Sequence, residues 1–465
     1  MAIDYRPNDP DGQTVRLRIM DAGVDLSRWK GYDFSEDFLT PTDSFHFTLG
    51  DEKLPDRERN ALKIGARVRL YVESLVLAEG YIDSVEVNAD RSGGLTYAIS
   101  GRDRLGQTLD AIADPQFQLK DGGTLADLLK QLFSPFGWVN TDPVAGTKPH
   151  FEIDNTANRN ARTGIRATPT SKGKKGKPLK SFVLHQTKPY NHESVFHFAS
   201  RVAQRHGLWI WASADGEQLI VGRPDYSQEA IFRLRRDRGG NGNILSGGVR
   251  YEITDQPTMI VADSYSGGGE FGKGRCKAYI VNPLLGLTDE GEHIPEVKAV
   301  LEKHPKAVEN TLPGAAFAFR AANIPFRPMF LHDDESKTQE QLNNFVKREM
   351  SLLYRKALTA HYVVEGHGQI VDGNFVAWAA DTVVDVFDEA AELFERMYVL
   401  GVHYSKQRGG TGTTTRLDLV RLHSIEFGDP VEAKTSVAST QQRSGAITIP
   451  EVTIVGRVPT FRRGP

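Results

Sequence analysis

Between residues 14 and 100 apolar residues alternate with polar ones or gather in short blocks. TVRLRI, SFHFTL, ARVRLYV, LAEGYIDSVEV and LTYAIS are each bounded by Gly, Asp or Pro. A period of two puts every second side chain on one face, so each block reads as a strand, and strands at this density predict a small barrel or sandwich. At Thr124 the period changes. In TLADLLKQLF, Leu125, Leu128, Leu129, Leu132 and Phe133 recur at three- and four-residue steps, which predicts a helix capped by Thr124 and stopped at Gly137.

From about Asn140 to Lys180 the pattern dissolves into polar, irregular sequence, and TSKGKKGKPLK reads as an exposed, flexible insertion. Helical spacing returns in NHESVFHFASRVAQRHG, with Asn191 as the expected N-cap, Val195, Phe196, Ala199, Val202 and Ala203 on the apolar face, and Gly207 as the stop. LWIWASADGEQLIVGRP then predicts a hairpin turning at Asp215-Gly216. Strands resume in GVRYEITDQPTMIVADSYS. After a less regular stretch, SKTQEQLNNFVKREMSLLYRKA predicts the longest helix, with a Ser336/Gln339 capping box and Leu342, Val346, Met350 and Leu353 inward. LTAHYVVEG, TVVDVF, MYVLGVHYS and TTRLDLVRL return to β, and the residues from Pro430 onward read as an extended tail.

Two of these β stretches echo each other. YIDSVEVNADRSGGLTYAIS and VLGVHYSKQRGGTGTTTRLDLV share a strand, a polar turn with Arg and paired glycines, and a second strand. Either any two hairpins or a repeated domain can produce such an echo. The expected fold is therefore α+β and mainly β, with two small β-barrel domains and an intervening helix-plus-hairpin module. The first barrel spans 1–112, and the α+β module 113–235 with its flexible insertion at about 141–180. The second barrel comprises 236–265 and 357–428, interrupted by an irregular insertion and the long helix over 266–356, and the tail covers 429–465.

Composition narrows the function classes. The chain has 465 residues, 39% hydrophobic and 25% charged, with net charge −3, so at whole-chain level it offers no polyanion-binding surface. Cys276 is the only cysteine, which excludes an intrachain disulfide and a four-cysteine zinc site. The N-terminus MAIDYRPNDPDG lacks a basic-then-apolar export signal, and nowhere do about 18 apolar residues run together, so no secretory leader or membrane span is expected.

Three motifs come near to chemistry. Gly267 through Lys273 matches the phosphate-loop spacing, yet Gly274 stands where magnesium needs a hydroxyl, and the β-like RCKAYIVNP follows where the phosphates need a helix N-terminus. In HESVFH the histidines His192 and His197 are five apart, about 140° around a helix, too divergent for one zinc; Glu193 reads as a first-turn carboxylate. His332, Asp333 and Asp334 precede the expected Ser336 cap, where acidic residues are ordinary. No catalytic, metal or cofactor-binding residue is assigned.

The order of elements is similar to that of contractile-phage baseplate hub proteins of the Mu-like tail type. GYIDSVEVNADRSGGLTYAISGRDRLGQTLDAIAD, from Gly80, resembles the end of that family's first barrel, with Gly101-Arg102 before Leu109-Asp110. Glu193, Ser194, Phe196 and Gly207, followed by the Asp215-Gly216 turn, resemble its next landmark, and QLNNFVKREMSLLYRKALTAHYVVEGHG and YVLGVHYSKQRGGTGTTTRLDLV its third and fourth. The resemblance implies a non-enzymatic structural protein of the virion tail baseplate, assembled in the bacterial host cytoplasm. It implies a homotrimer whose two barrels per chain make a six-barrel ring. That ring would join the hexameric tail tube protein, or a tube initiator, to a trimeric central spike protein and other baseplate proteins, with no small-molecule substrate. ITIPEVTIVGRV in the tail would add a strand to the spike or a neighbour. Two alternatives stay open: a hub-like part of a tail-derived injection or secretion machine, and a tail-associated cell-wall hydrolase.

Overall fold

The computed structural model describes residues 13–50, 54–90, 94–120, 122–138, 150–153, 184, 187–224, 226, 228–266, 274–288, 291–312, 326–336, 338–371, 374–406 and 412–425. The Gly267–Lys273 loop, the TSKGKKGKPLK segment and the tail from Pro430 lie outside them.

The first β region contains β1 (Val15–Ile19), β2 (Val24–Leu26), β3 (Trp29–Asp37), β4 (Ser44–Gly50), a short α1 (Asp56–Ala61), β5 (Arg67–Val72), β6 (Leu75–Asp90) and β7 (Gly94–Asp103), closed by α2 (Gly106–Asp110). Alternation decides which side chains go inward: in β4, Phe45, Phe47 and Leu49 are buried while His46 and Thr48 are only partly covered.

The helix-plus-hairpin module follows as α3 (Leu125–Phe133), α4 (Val195–Arg205), β9 (Trp209–Ala212) and β10 (Gln218–Gly222). Thr124 and Asp127 form a reciprocal capping box, and Gly137 takes the left-handed backbone that ends the following 3-10 turn. Helix α4 begins later than the sequence suggests. Its cap is Ser194, whose hydroxyl accepts the His197 amide, not Asn191; consequently Glu193 lies before the helix and not in its first turn. The expected apolar face is buried, and Phe198 is buried with it against α3 and the hairpin. Within the stretch read as a flexible insertion, β8 (His150–Ile153) pairs parallel to β10.

The stretch read as an irregular insertion and the long helix, 266–356, carries regular structure in its described residues ahead of that helix. The strands β13 (Met259–Ser266), β14 (Gly274–Val281), β15 (Val308–Asn310) and β16 (Pro328–His332) form a four-stranded sheet in the order β15-β14-β13-β16, with α5 (Pro295–Lys303) between β14 and β15 in the chain. The long helix α6 (Gln339–Tyr354) packs on it through Leu342, Val346 and Met350, with Leu353 partly buried. Its cap is Thr338, which accepts the Gln341 amide, and not Ser336. The sequence reading marked β13 and the β-like run of β14, but β15 and β16 are only three and five residues long and pair with strands distant in the chain.

The second β region comprises β11 (Phe232–Arg236), β12 (Ile244–Tyr251), β17 (Leu358–Glu365), β20 (Thr382–Asp388), β21 (Leu393–Lys406) and β22 (Thr413–Arg421), with β18 (Gly368–Val371) and β19 (Asn374–Ala377) as a separate hairpin. The protein is mainly β, as expected, but the two regions are not two separate closed barrels. Antiparallel pairing of β3 with β21 joins them into one thirteen-stranded sheet, and no barrel closes among the described strands. A single core cluster runs through both, from Leu17 and Phe47 to Tyr362, Trp378 and Tyr404.

Pairing order turns the echo of the two regions into a structural repeat. The ladder β1-β5-β6-β7-β4-β3 has its counterpart in β11-β20-β21-β22-β17-β12, with the strands in the same chain order. Both halves carry β-bulges at matching places: Trp29/Gly31 against β4 matches Ile244/Ser246 against β17, and Ile82/Ser84 against β7 matches Val399/Gly401 against β22. Following the register from one bulge through the intervening ladders leads from Gly31 to Glu86 and from Ser246 to His403, each two residues past the second bulge at Ser84 or Gly401, a shared offset that two unrelated hairpins would not show. His46 and Ser100 are thereby equivalent to His361 and Asp418, and both pairs hydrogen-bond across strands, at 2.9 and 2.6 Å. The halves are not identical: β1 runs antiparallel to β5 whereas β11 runs parallel to β20, and the bulge at Leu70/Tyr71 has no counterpart among the described strands. Of the turns that carry the echoed glycines, residues 91–93 and 407–411 lie outside the described residues.

Candidate functional site

The residues singled out by the sequence fall into three joints between elements. At the first, Gly80 in β6 and Gly101 in β7 are places where backbones approach too closely for a side chain. A Cβ at Gly80 would overlap the Arg102 carbonyl, and one at Gly101 the Tyr81 carbonyl and the Phe45 ring. Arg102, next in β7, donates from Nε to Asp83 at 2.7 Å and from Nη1 and Nη2 to Asp110 at 3.0 and 2.6 Å, pinning α2 to the sheet. The hydrogen bonds to Asp110 and Asp83 raise the Arg102 pKa, and the bond from Arg102 lowers that of Asp110.

The second joint ties the first β region to the hairpin of the module. Buried Arg104 donates from Nη1 to the Gly216 carbonyl at 2.6 Å and from Nη2 to the Phe136 carbonyl at 3.1 Å, and its guanidinium lies 4.6 Å from the centre of the Trp138 ring. Gly216 has φ +65 and sits against the Arg104 and Glu79 side chains, so it serves both turn and contact. The Asp215 carboxylate accepts the Ser213 hydroxyl and the Glu217 amide, closing the turn. Fully buried Glu79 is clasped by Arg67 and Arg69, whose Nε atoms stand 2.7 and 2.8 Å from its two oxygens. A buried carboxylate needs such pairing to stay charged. Burial lowers the Arg104 pKa.

The third joint gathers two of the near-miss motifs. Arg201 on α4 binds Glu193 at 2.7 Å and Glu335 at 2.9 Å, and Arg205 also pairs with Glu335. Burial, with Arg201 next in effect, pushes the Arg205 pKa down to about 10. A cleft lined by Glu193, His197, Arg201, Asp333, Glu335 and Arg348 lies here, between α4 and the start of α6. Phe196 and Gly207 belong to the module itself: Phe196 is buried in its core, and Gly207 has φ +70 after the helix.

Arranged this way, these groups are consumed by one another. His192 lies before α4, with φ +61, so the histidines of HESVFH are not on one helix at all, and His197 Nδ1 is 2.9 Å from the Ser194 hydroxyl. His332 stands between Asp263 at 2.6 Å and Asp334 at 2.9 Å, whose hydrogen bonds raise its pKa, Asp263 most. Asp333 instead accepts the amides of Glu335 and Ser336. Ser266 and Gly274, which flank the phosphate-like loop, pair in an antiparallel ladder, so strands stand on both sides of it. Among the described residues no group of three or more His, Cys, Asp or Glu could hold a metal, and no helix is long and apolar enough to cross a membrane.

Sequence reasoning did not find Arg104, Glu79, Arg201 or Glu335. Glu79 lies in a strand, Arg201 in a helix, and Arg104 and Glu335 in the segments leading into α2 and α6, and only tertiary contact distinguishes each from a solvated charge. The one available signal was the run GRDR, where Arg104 follows Arg102 at strand spacing.

Residues 14–103 match the family model described as Mu phage baseplate assembly protein GpP-like, N-terminal. Among solved structures, the chain is similar to the tail protein from Neisseria meningitidis MC58, with 19% identity, TM-score 0.62, 90% of this chain and 99% of that one covered. It is also similar to the 43 kDa tail protein of prophage MuSo2 from Shewanella oneidensis, with 15% identity, TM-score 0.62, and 89% and 99% covered. At such identities the likeness is one of fold. No curated protein matches. Residues 14–103 are thus similar to the N-terminal domain of Mu phage GpP-like baseplate assembly proteins, and the chain shares its fold with these two tail proteins.

Proposed function

We propose that this protein is the structural hub of a contractile-phage baseplate. Its first domain is of a baseplate assembly family, and its fold is that of Mu-like tail proteins, which together support a tail or baseplate component of the virion. The observation that carries the hub reading is the internal repeat: two β modules of matching strand order and matching bulges in one chain. Three copies of such a chain supply six similar modules, which lets a three-fold spike meet a six-fold tube. Salt-bridged joints between elements suit a protein whose work is to hold partners in position.

Light scattering over a range of concentrations tests this. A trimer that appears as a six-lobed ring by electron microscopy is the expected result; a chain that neither trimerises alone nor forms a ring with its spike overturns the reading.

A further inference from the structure

The long strand β21 uses one edge twice. Residues 393–399 pair with β20, and residues 401–406 pair with β3, burying Val402 and Tyr404 against Phe34. Its counterpart β6 uses that edge once. Residues 75–81 pair with β5, while from Ser84 to Ala89 the strand pairs, among the described strands, only with β7. The missing partner would be the counterpart of β3, which is β12, and β12 ends the sheet path, paired with β17 alone among the described strands. Each chain therefore has two complementary edges left open among the described strands, and the same chain already shows how they fit.

We infer that β12 of one subunit pairs antiparallel with the outer half of β6 of the next, reproducing the β3–β21 ladder between chains. This rests on the hub reading for the number of copies: the contact is head-to-tail, so it closes only as a ring, here of three. Transposing the register of Gly401↔Asp37, Val402↔Glu36, His403↔Ser35 and Tyr404↔Phe34 sets Ser84 opposite Glu252, Val85 opposite Tyr251, Glu86 opposite Arg250 and Val87 opposite Val249.

Three observations agree with that register. Val87 and Tyr251 are 54% and 47% exposed, whereas their counterparts Tyr404 and Glu36 are 1% and 2% exposed. The transposed ladder would put Val85, Val87, Val249 and Tyr251 on the core-facing side, where Val85 and Val249 already pack at the edge of the core. On the opposite face it sets a carboxylate against a guanidinium, Glu86 against Arg250, so charge favours this register over a one-residue slip, which would also turn the valines outward. An uncovered strand edge of this kind is otherwise a liability for aggregation.

The test is the mass of the full-length protein with the single variants Glu86→Lys and Arg250→Glu, and with both together. Both residues are exposed, so folding is preserved. Each single reversal sets like charges opposite each other and is expected to raise the trimer dissociation constant about tenfold or more, and the double reversal to restore it. Cysteine pairs at 87/249 and 86/250, in a Cys276→Ser background, cover both kinds of antiparallel pair and should give disulfide-linked dimers and trimers. A wild-type trimer insensitive to both reversals and uncrosslinked at both pairs sinks the β12–β6 contact and leaves the hub reading standing. A wild-type chain that stays monomeric at every concentration, and forms no ring with its spike, sinks both.

Discussion

Arg104 Nη1 donates a 2.6 Å hydrogen bond to the carbonyl of Gly216, and through it the first β region holds the turn of the hairpin over a hundred residues away. Replacing Arg104 leaves two carbonyls, those of Gly216 and Phe136, without this donor and uncovers the face of Trp138.

Arg104→Ala should therefore destabilise the protein by about 2–3 kcal/mol, the usual cost of orphaning buried polar groups together with lost packing. Arg104→Lys recovers little, because an ammonium cannot reach two diverging carbonyls in one plane. Urea denaturation followed by tryptophan fluorescence reads both; a midpoint unchanged in Arg104→Ala would remove the joint from the account.

Glycine is required at Gly101 by space and not by backbone angle. Gly101→Ala drives a Cβ into the Tyr81 carbonyl and the Phe45 ring, with an expected cost of about 3 kcal/mol. Gly248→Ala, where a Cβ meets nothing within 4 Å, should change stability by less than about 0.5 kcal/mol. Thermal melts of the two variants side by side decide it.

His367 makes the fold acid-sensitive. It is buried, 2.6 Å from the Tyr32 hydroxyl and 3.0 Å from the Thr415 hydroxyl, and burial, helped by Lys406, pushes its pKa down to about 3. In the unfolded chain the imidazole protonates near pH 6.5. Between roughly pH 6.5 and 3 the unfolded state thus binds a proton that the folded state refuses, and stability falls with falling pH by up to about 1.4 kcal/mol per pH unit from this group. Denaturation midpoints across that window should show a shallower slope for His367→Gln than for the wild type.

His332 behaves in the opposite sense. Its pKa is raised, so its ion pairs with Asp263 and Asp334 contribute fully below the unfolded histidine pKa and are lost as pH rises through the folded value. Titration by NMR should place the His332 imidazole above the ordinary histidine range, and Asp263→Asn should bring it down. An unshifted titration in the wild type would exclude the pairing.

What the sequence determined by itself is what depends on neighbours along the chain. Period-two alternation in 14–100 and after 357, the Thr124 cap, the Asp215-Gly216 hairpin and the apolar face of α4 were legible because each is a local matter of side-chain period and turn chemistry. The mainly β class followed. Even the helix starts show the boundary of that logic: Ser194 and Thr338 cap α4 and α6, a few residues beyond Asn191 and Ser336, because several Ser, Thr and Asn residues precede each helix and only packing selects among them.

Tertiary structure decided the rest, since it concerns pairing between distant segments, which a strand's own sequence does not specify. The pairing of β16 with β13, the merging of two expected barrels through β3 and β21, and the joints at Arg104 and Arg201 all join residues separated by many tens of positions. The repeat stood between the two. Its glycine-bearing turns were visible as an echo, but only the register of two bulges in each half showed that the echo is a duplicated module, and only the unequal use of β6 and β21 showed which edges that module leaves open.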